Sequence, residues 1–337
     1  MTMSEKKIKT IGIIGDGGWG TTLAIHLGRQ GREVVLWGVS PQYVQQTAKT
    51  RINEKFLPGI RIPRNVELTS DLNQVVENSD LIVFAVPSQF AFSVITKMKG
   101  FDWKNKTFLS VTKGFDTKNL WRISEIVRNV LGSKTTFAVL SGPTIAKEVA
   151  KGIPTMAVVA CRNLKTAQMI QGVFHSETFR IYSSTDIAGL EIGGSVKNVI
   201  ALACGICDGL GFGTNAKAAI LTRGLSEIAR LGKIYGAKEQ TFSGLSGLGD
   251  LITTCFNESS RNRSVGQELG QGRSLKEILA KMHMVAEGVE TTKAIHALAR
   301  KHKIDMPITE EVYKILYKNK SASKAVKDLM GRKAKVE

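Results

Sequence analysis

The sequence predicts two domains of different class: an α/β domain with a parallel sheet over residues 1–185, followed by an all-α domain over residues 186–337. Three observations carry this reading. The chain has 337 residues, and at ~100–200 residues per domain two domains are expected. Up to Ser183, short continuous apolar runs alternate with helical patterns, which implies a parallel sheet covered on both faces. Beyond Asp186 long helical patterns follow one another and strand patterns cease.

Strands are expected over residues 8–14, 33–37, 80–86, 107–111, 136–140, 155–160 and 179–183. Helices are expected between them over 19–31, 41–50, 88–99 and 121–131. Residues 51–65 read as a loop, broken by Pro58-Gly59 and Pro63. In the second half helices are expected over 187–209, 216–235, 275–282, 289–300 and 309–317.

A hydrophobic content of 42% with 7% aromatics builds ordinary cores. No apolar run approaches the ~20 residues of a membrane helix, so no stable membrane insertion is expected. The charged start leads into an apolar run that soon meets glycines, with no small-residue cleavage site after it. That pattern is a first strand rather than a signal peptide, and a cytoplasmic location follows by default.

Lysine and arginine number 47 against 29 acids, a formal charge of +18, which favours polyanionic partners. The basic residues are spread along the chain, with slight clusters at Lys6, Lys7 and Lys9 and at Arg332, Lys333 and Lys335. A solvated basic surface serving a phosphorylated ligand fits this spread better than a nucleic-acid site. Cys161, Cys204, Cys207 and Cys255 read as buried thiols: the Cys204–Cys207 spacing has no second pair and lies in an apolar helical pattern. The histidines His26, His175, His283, His296 and His302 show no metal-ligand spacing, and no metal is expected.

Gly15, Gly17 and Gly20 form GxGxxG after a predicted strand and at the start of a predicted helix. In that context the motif marks a Rossmann-type dinucleotide site. Gly15 allows the tight turn, Gly17 lets backbone approach a pyrophosphate, and Gly20 lets the helix pack close to the sheet. The helix N-terminus then offers free N–H groups to the phosphates. The usual companion is an acid at the end of the second strand, which binds the adenine ribose. Here that strand ends Trp37-Gly38-Val39-Ser40, with neither an acid nor an arginine. The choice between NAD and NADP is open on this evidence, and the missing repulsion tolerates NADP.

In the helical half, Lys197 lies among Val196, Val199, Ile200 and Leu202. A lone lysine on such a helix ordinarily snorkels to water; one held against the apolar surface loses hydration, its pKa falls, and it can exchange a proton near neutrality. Ser243, Gly244, Gly247 and Gly249 make a glycine-rich approach to Asp250. Ser259, Ser260, Arg261, Asn262 and Arg263 group hydroxyl, guanidinium and amide donors suited to a phosphate; the same residues also read as a helix N-terminus capped by serine. In the first half, Lys113-Gly114 and Gly142-Pro143-Thr144 follow strand ends, where ligands of open α/β sheets bind.

In order along the chain, these segments resemble the bacterial type of NAD(P)-dependent glycerol-3-phosphate dehydrogenase. The carriers are residues 15–21, Pro87-Ser88, Thr112-Lys113-Gly114, residues 141–144, residues 193–198, residues 247–250, residues 260–262 and residues 285–291. The resemblance implies hydride exchange between sn-glycerol 3-phosphate and dihydroxyacetone phosphate, feeding glycerophospholipid synthesis, in a homodimer. It assigns Lys197 as the proton acceptor. It places Lys113, Gly142, Thr144, Lys197, Asp250, Ser260, Arg261 and Asn262 on the substrate. It places Gly15, Gly17, Gly18, Trp19, Gly20, Lys113, Ala146, Arg261, Val285 and Glu287 on the cofactor. Two positions depart from the family: Gly18 stands where serine is common, and Val39 where arginine or histidine is frequent.

Two other readings compete. One is a related dehydrogenase of a hydroxy acid or 6-phosphogluconate. The other is a basic nucleotide-sensing or nucleic-acid-binding protein that uses the dinucleotide as a signal.

Overall fold

The computed structural model describes residues 8–282, 285–334 and 336. Lys6, Lys7, His283 and Lys335 lie outside the described residues. The chain forms two compact units, residues 1–112 with 123–187, and residues 113–122 with 188–337. Residues 113–122 thus belong to the second unit although they interrupt the first in sequence.

The first unit holds the strands β1 (Thr10–Ile14), β2 (Glu33–Trp37), β3 (Ile52–Asn53), β4 (Leu57–Arg61), β5 (Val66–Thr69), β6 (Leu81–Phe84), β7 (Thr107–Ser110), β8 (Thr136–Ser141), β9 (Thr155–Cys161) and β10 (Phe179–Ser184). Its helices are α1 (Gly18–Arg29), α2 (Pro41–Thr50), α3 (Leu72–Asn78), α4 (Ser88–Lys97), α5 (Ile123–Val130), α6 (Ala146–Ala150) and α7 (Leu164–Phe174). Eight strands make one sheet in the order β10-β9-β8-β7-β6-β1-β2-β5. The chain runs outward from β1 through β2 to β5, then returns to start again at β6 on the other side of β1. That reversal is the switch point at which open α/β sheets bind ligands, and the glycine-rich turn follows β1 there.

β6 and β7 are buried at every residue, as expected for central strands with helices on both faces. One pairing departs from the all-parallel expectation: β8 and β9 are antiparallel. Their connection carries only the five-residue α6, too short a piece for a covering crossover. The eleven-residue α7 restores a crossover, and β10 pairs parallel to β9. Residues 51–65 are not a plain loop: β3 and β4 pair as a small antiparallel hairpin. Its strands are too short, and too rich in turn residues, to show a period.

The second unit holds α8 (Ile187–Gly209), α9 (Thr214–Ile234), α10 (Glu239–Ser243), a π-helical turn (Leu245–Gly249), α11 (Asp250–Phe256), α12 (Arg261–Gly270), α13 (Leu275–Lys281), α14 (Glu287–Lys301), α15 (Pro307–Tyr317) and α16 (Ala322–Met330). Among the described residues it contains no strand. α8 is long and apolar enough to cross a membrane by length and composition, contrary to the expectation that no such run exists, yet the stretch that qualifies is buried throughout. All four cysteines are free and buried.

α12 packs against α8 through glycine on both sides. A Cβ on Gly205 or Gly209 of α8 would strike the carbonyl oxygen of Arg263 or Gln267. A Cβ on Gly266 or Gly270 of α12 would strike that of Leu202 or Ile206. The two four-residue glycine spacings face each other and bring the backbones together, which fixes the N-terminus of α12 beside the middle of α8.

Candidate active site

In the first unit the glycine-rich turn is shaped by backbone. Gly15 has φ 115°, a conformation that L side chains resist, and its N–H donates to the Trp37 carbonyl at 3.0 Å. A Cβ on Gly20 would collide with the Gly15 carbonyl, so α1 can rise directly from the turn only with glycine there. The N-cap of α1 is Gly17, whose side-chain position is open space, and among the described residues no side chain caps the helix. First-turn N–H groups without a side-chain cap, no acid in that turn and an open approach over Gly17 fit a dinucleotide pyrophosphate.

The β3–β4 hairpin braces this turn. Asn53, almost fully buried, donates from Nδ2 to the Asp16 carbonyl and to Thr21 Oγ1, each at 2.7 Å. Its Oδ1 accepts from Tyr43 Oη at 2.7 Å. The same hairpin explains Gly18: a Cβ there would lie 2.8 Å from the Phe56 carbonyl oxygen. The serine common at this position would have to displace that carbonyl. Thr22 Oγ1 donates to the carbonyls of Gly18 at 2.8 Å and Ala146 at 3.0 Å, so Ala146 stands beside the turn. Trp19 lies edge-on to Phe179. Gly142 has φ 151° and is the carbonyl acceptor for Thr144 Oγ1 at 3.2 Å.

In the second unit, Lys197, Asp250 and Lys113 come together. Lys197 Nζ donates to Asp250 Oδ1 and, at 2.6 Å, to Thr254 Oγ1. Lys113 Nζ takes the other carboxylate oxygen, Asp250 Oδ2, at 2.6 Å. The Asp250 side chain is 2% exposed and that of Lys197 7%, so the lysine does not reach out to water. Burial pushes the Lys197 amine down to about 8; the Asp250 carboxylate opposes this and the Lys113 charge adds to it. An amine in that range can accept or return a proton close to neutrality.

Local structure explains the cluster. A Cβ on Gly193 would lie 2.7 Å from the Ser246 carbonyl oxygen, and Gly193 shares a helical face with Lys197 four residues on. The glycine lets the π-helical turn approach α8, which brings Asp250, the first residue of α11, to the amine. Phe115 anchors residues 113–122 in the second core. At their far end Arg122 pairs with Glu191 at 2.9 Å and covers the Tyr235 ring.

Ser260 is the N-cap of α12 and accepts from the Arg263 N–H at 3.4 Å. Arg261 is exposed and makes no ion pair among the described residues. Asn262 is turned inward: its Nδ2 donates to Asn198 Oδ1 and its Oδ1 accepts from the Gly288 N–H, both at 2.9 Å. Among the described residues the second Nδ2 hydrogen of Asn262 has no acceptor. The second of these bonds ties Asn262 to the start of α14, where Val285 and Glu287 are half-buried. The neighbouring Arg263 is engaged elsewhere, with Asp208 at 2.6 Å.

Sequence reasoning did not single out Asn53, Phe56, Asn198 or Thr254. Thr254 was within reach of it, lying one helical turn beyond Asp250. Asn53 and Phe56 carried no signal, because only tertiary structure folds their hairpin onto the turn. His26 and His296 prove to be packing residues: His26 bonds to the Phe174 carbonyl at 2.7 Å and His296 stacks on Tyr313.

Comparisons with known proteins agree across the chain. The family profile described as NAD-dependent glycerol-3-phosphate dehydrogenase N-terminus matches residues 10–167, and the corresponding C-terminus profile matches residues 186–327. A protein of Prosthecochloris aestuarii named glycerol-3-phosphate dehydrogenase (NAD(P)+) is 46% identical over 97% of this chain and 99% of its own. One of the same name from Citrifermentans bemidjiense is 45% identical over 99% of each chain. The crystal structure of glycerol-3-phosphate dehydrogenase from Coxiella burnetii superposes with a TM-score of 0.93 at 39% identity, covering 96% of this chain and 99% of that one. The chain therefore belongs to the NAD-dependent glycerol-3-phosphate dehydrogenase family of oxidoreductases.

Proposed function

We propose that this protein interconverts sn-glycerol 3-phosphate and dihydroxyacetone phosphate with NAD or NADP, in the service of glycerophospholipid synthesis. The observation that carries the reading is the buried Lys197 amine, held by Asp250 and brought down to about 8. The nicotinamide, when bound, supplies the hydride chemistry. Lys197 Nζ accepts the proton of the substrate C2 hydroxyl during oxidation and returns it during reduction. Asp250 orients the amine, and the Lys113 charge adds electrostatic stabilisation at the developing alkoxide. Arg261, exposed and unpaired among the described residues, takes the substrate phosphate with Ser260 and the spare Asn262 hydrogen. Binding the phosphate carried on the neighbouring C3 helps to hold the reacting C2 in place.

In the first unit, Gly142 and Thr144 are assigned to the substrate. Gly15, Gly17, Gly18, Trp19, Gly20 and Ala146 are assigned to the cofactor. Lys113, Arg261, Val285 and Glu287, in the second unit, are likewise assigned to the cofactor. A cytoplasmic location fits charged substrates and cofactors that do not cross membranes unaided, and a homodimer belongs to the same proposal.

The test is reduction of dihydroxyacetone phosphate by purified protein with NADH or NADPH, followed as loss of reduced-nicotinamide absorbance. Turnover is expected here and not with a 3-hydroxy acid or 6-phosphogluconate under oxidising conditions; the reverse pattern overturns the reading. Arg261→Ala is expected to raise KM for the phosphorylated substrate by roughly tenfold or more. Its effect on KM for the dinucleotide is expected to be smaller, and equal rises would remove Arg261 from the phosphate site.

A further inference from the structure

The acid missing from the end of β2 is supplied from another part of the chain. A Cβ built on Gly38 would lie 2.6 Å from Cγ of Asp16, with Asp16 Oδ2 nearer still, and 2.7 Å from Val44 Cγ2. The Asp16 carboxylate therefore fills the space that a side chain at the end of β2 would take. Glycine at position 38 is what leaves room for it.

Asp16 is firmly held there. Its carbonyl accepts from Asn53 Nδ2 at 2.7 Å and from Thr21 Oγ1 at 3.1 Å, while the preceding Gly15 N–H is fixed to Trp37. Its carboxylate interacts with its own backbone N–H and receives no side-chain hydrogen bond among the described residues. The residue is half-buried. Burial raises its carboxyl above the usual carboxylate range, opposed by its own backbone N–H and by the Lys55 charge. Val39, 71% exposed, brings no cation to the neighbouring position. Lys55 of the hairpin acts on the Asp16 charge, and its ammonium sits 5.1 Å from the Phe56 ring centroid. Asp16 and Lys55 thus set opposite charges near each other at this end of the turn.

We propose that Asp16, from within the glycine-rich turn, is the carboxylate that reads the adenine ribose, so that the protein selects the dinucleotide with a free 2′-hydroxyl over its 2′-phosphorylated counterpart. A vicinal ribose diol donates hydrogen bonds to a carboxylate, whereas a 2′-phosphate meets its charge. The selection comes from residue 16 rather than from the end of β2, which the sequence read alone left without an acid. The inference rests on the dinucleotide occupying the turn at residues 15–20.

Calorimetric titration tests it without turnover. NADH and NADPH, and 5′-ADP and 2′,5′-ADP as fragments, are titrated into wild type and Asp16→Asn. Wild type is expected to bind NADH at least roughly tenfold more tightly than NADPH, with the fragments in the same order. Asp16→Asn, near-isosteric and lacking the charge, is expected to bring NADH and NADPH to within about threefold of each other, chiefly by tightening NADPH. Adding Val39→Arg to Asp16→Asn is expected to turn the preference to NADPH. Equal or tighter binding of NADPH by wild type overturns the inference, as does a ratio unchanged in an Asp16→Asn protein with a native melting curve. Failure of wild type to bind either dinucleotide overturns the dinucleotide site itself, a separate outcome.

Discussion

Asn262 at the start of α12 donates to Asn198 on α8 at 2.9 Å, one residue beyond the Lys197 amine. The pair is buried, and Asn262 carries the bond on to the Gly288 N–H. The segment proposed for the substrate phosphate is thereby indexed to the helix that carries the proposed proton-transfer group, Lys197.

Asn262→Asp tests this indexing. The substitution keeps the acceptor for Gly288 but sets a carboxylate oxygen against Asn198 Oδ1. The expected cost is ~1–3 kcal/mol of stability from two facing buried acceptors. Asn198→Asp should cost less, because its carboxylate still accepts from Asn262 Nδ2. Chemical denaturation of both variants provides the comparison, and equal losses would contradict the donor direction.

Lys197 should set the pH dependence of the reaction. Alcohol oxidation needs the free amine, so its kcat/KM should climb through an inflection near 8 to a plateau; ketone reduction needs the ammonium and should decline through the same inflection. The two neighbours act on it with opposite sign. Asp250→Asn removes the charge that favours the ammonium, moving the inflection to lower pH, whereas Lys113→Met removes a repelling charge and moves it higher. Lys197→Met should lower kcat by about 10²–10⁴ while dinucleotide affinity is retained. Shifts of the same sign in the two neighbour variants would show that the inflection belongs to another group.

Gly266→Ala tests the close contact of α8 and α12. The added methyl meets the Leu202 carbonyl, backbone that cannot step aside without moving α12. Overpacking of this kind costs ~1–3 kcal/mol. Thermal melts should register it as a fall of roughly 2–4 °C per kcal/mol. Gly272→Ala supplies the contrast: its side-chain position is open, so its cost should come from its φ of 87° alone. A melting temperature unchanged by Gly266→Ala would mean that the two helices do not depend on glycine to meet.

Local pattern was enough for much of the molecule. β2, α2 and α8 begin and end where the sequence places them, because each has its own period and is bounded by turn residues or a cap: Ser40 before α2, Gly209 closing α8. The expected helices do not include α16, although its apolar residues Ala322, Ala325, Val326, Leu329 and Met330 fall at helical spacing. The antiparallel β8–β9 pair escaped because strand direction is a property of the connection and leaves no mark on the strands.

The amino-acid sequence by itself determined which candidate groups are present: a glycine-rich turn after a strand, a lysine on an apolar helix, and a cluster of hydroxyl, guanidinium and amide donors. Periodicity and backbone permissiveness are local properties, so they can be read along the chain. Tertiary structure alone decided who partners whom. It bonds both Lys197 and Lys113 to Asp250, lays the Phe56 carbonyl over Gly18, and sets the Asp16 carboxylate beside Gly38. Those contacts join residues far apart in sequence, and their energies depend on distance and burial that no local pattern encodes.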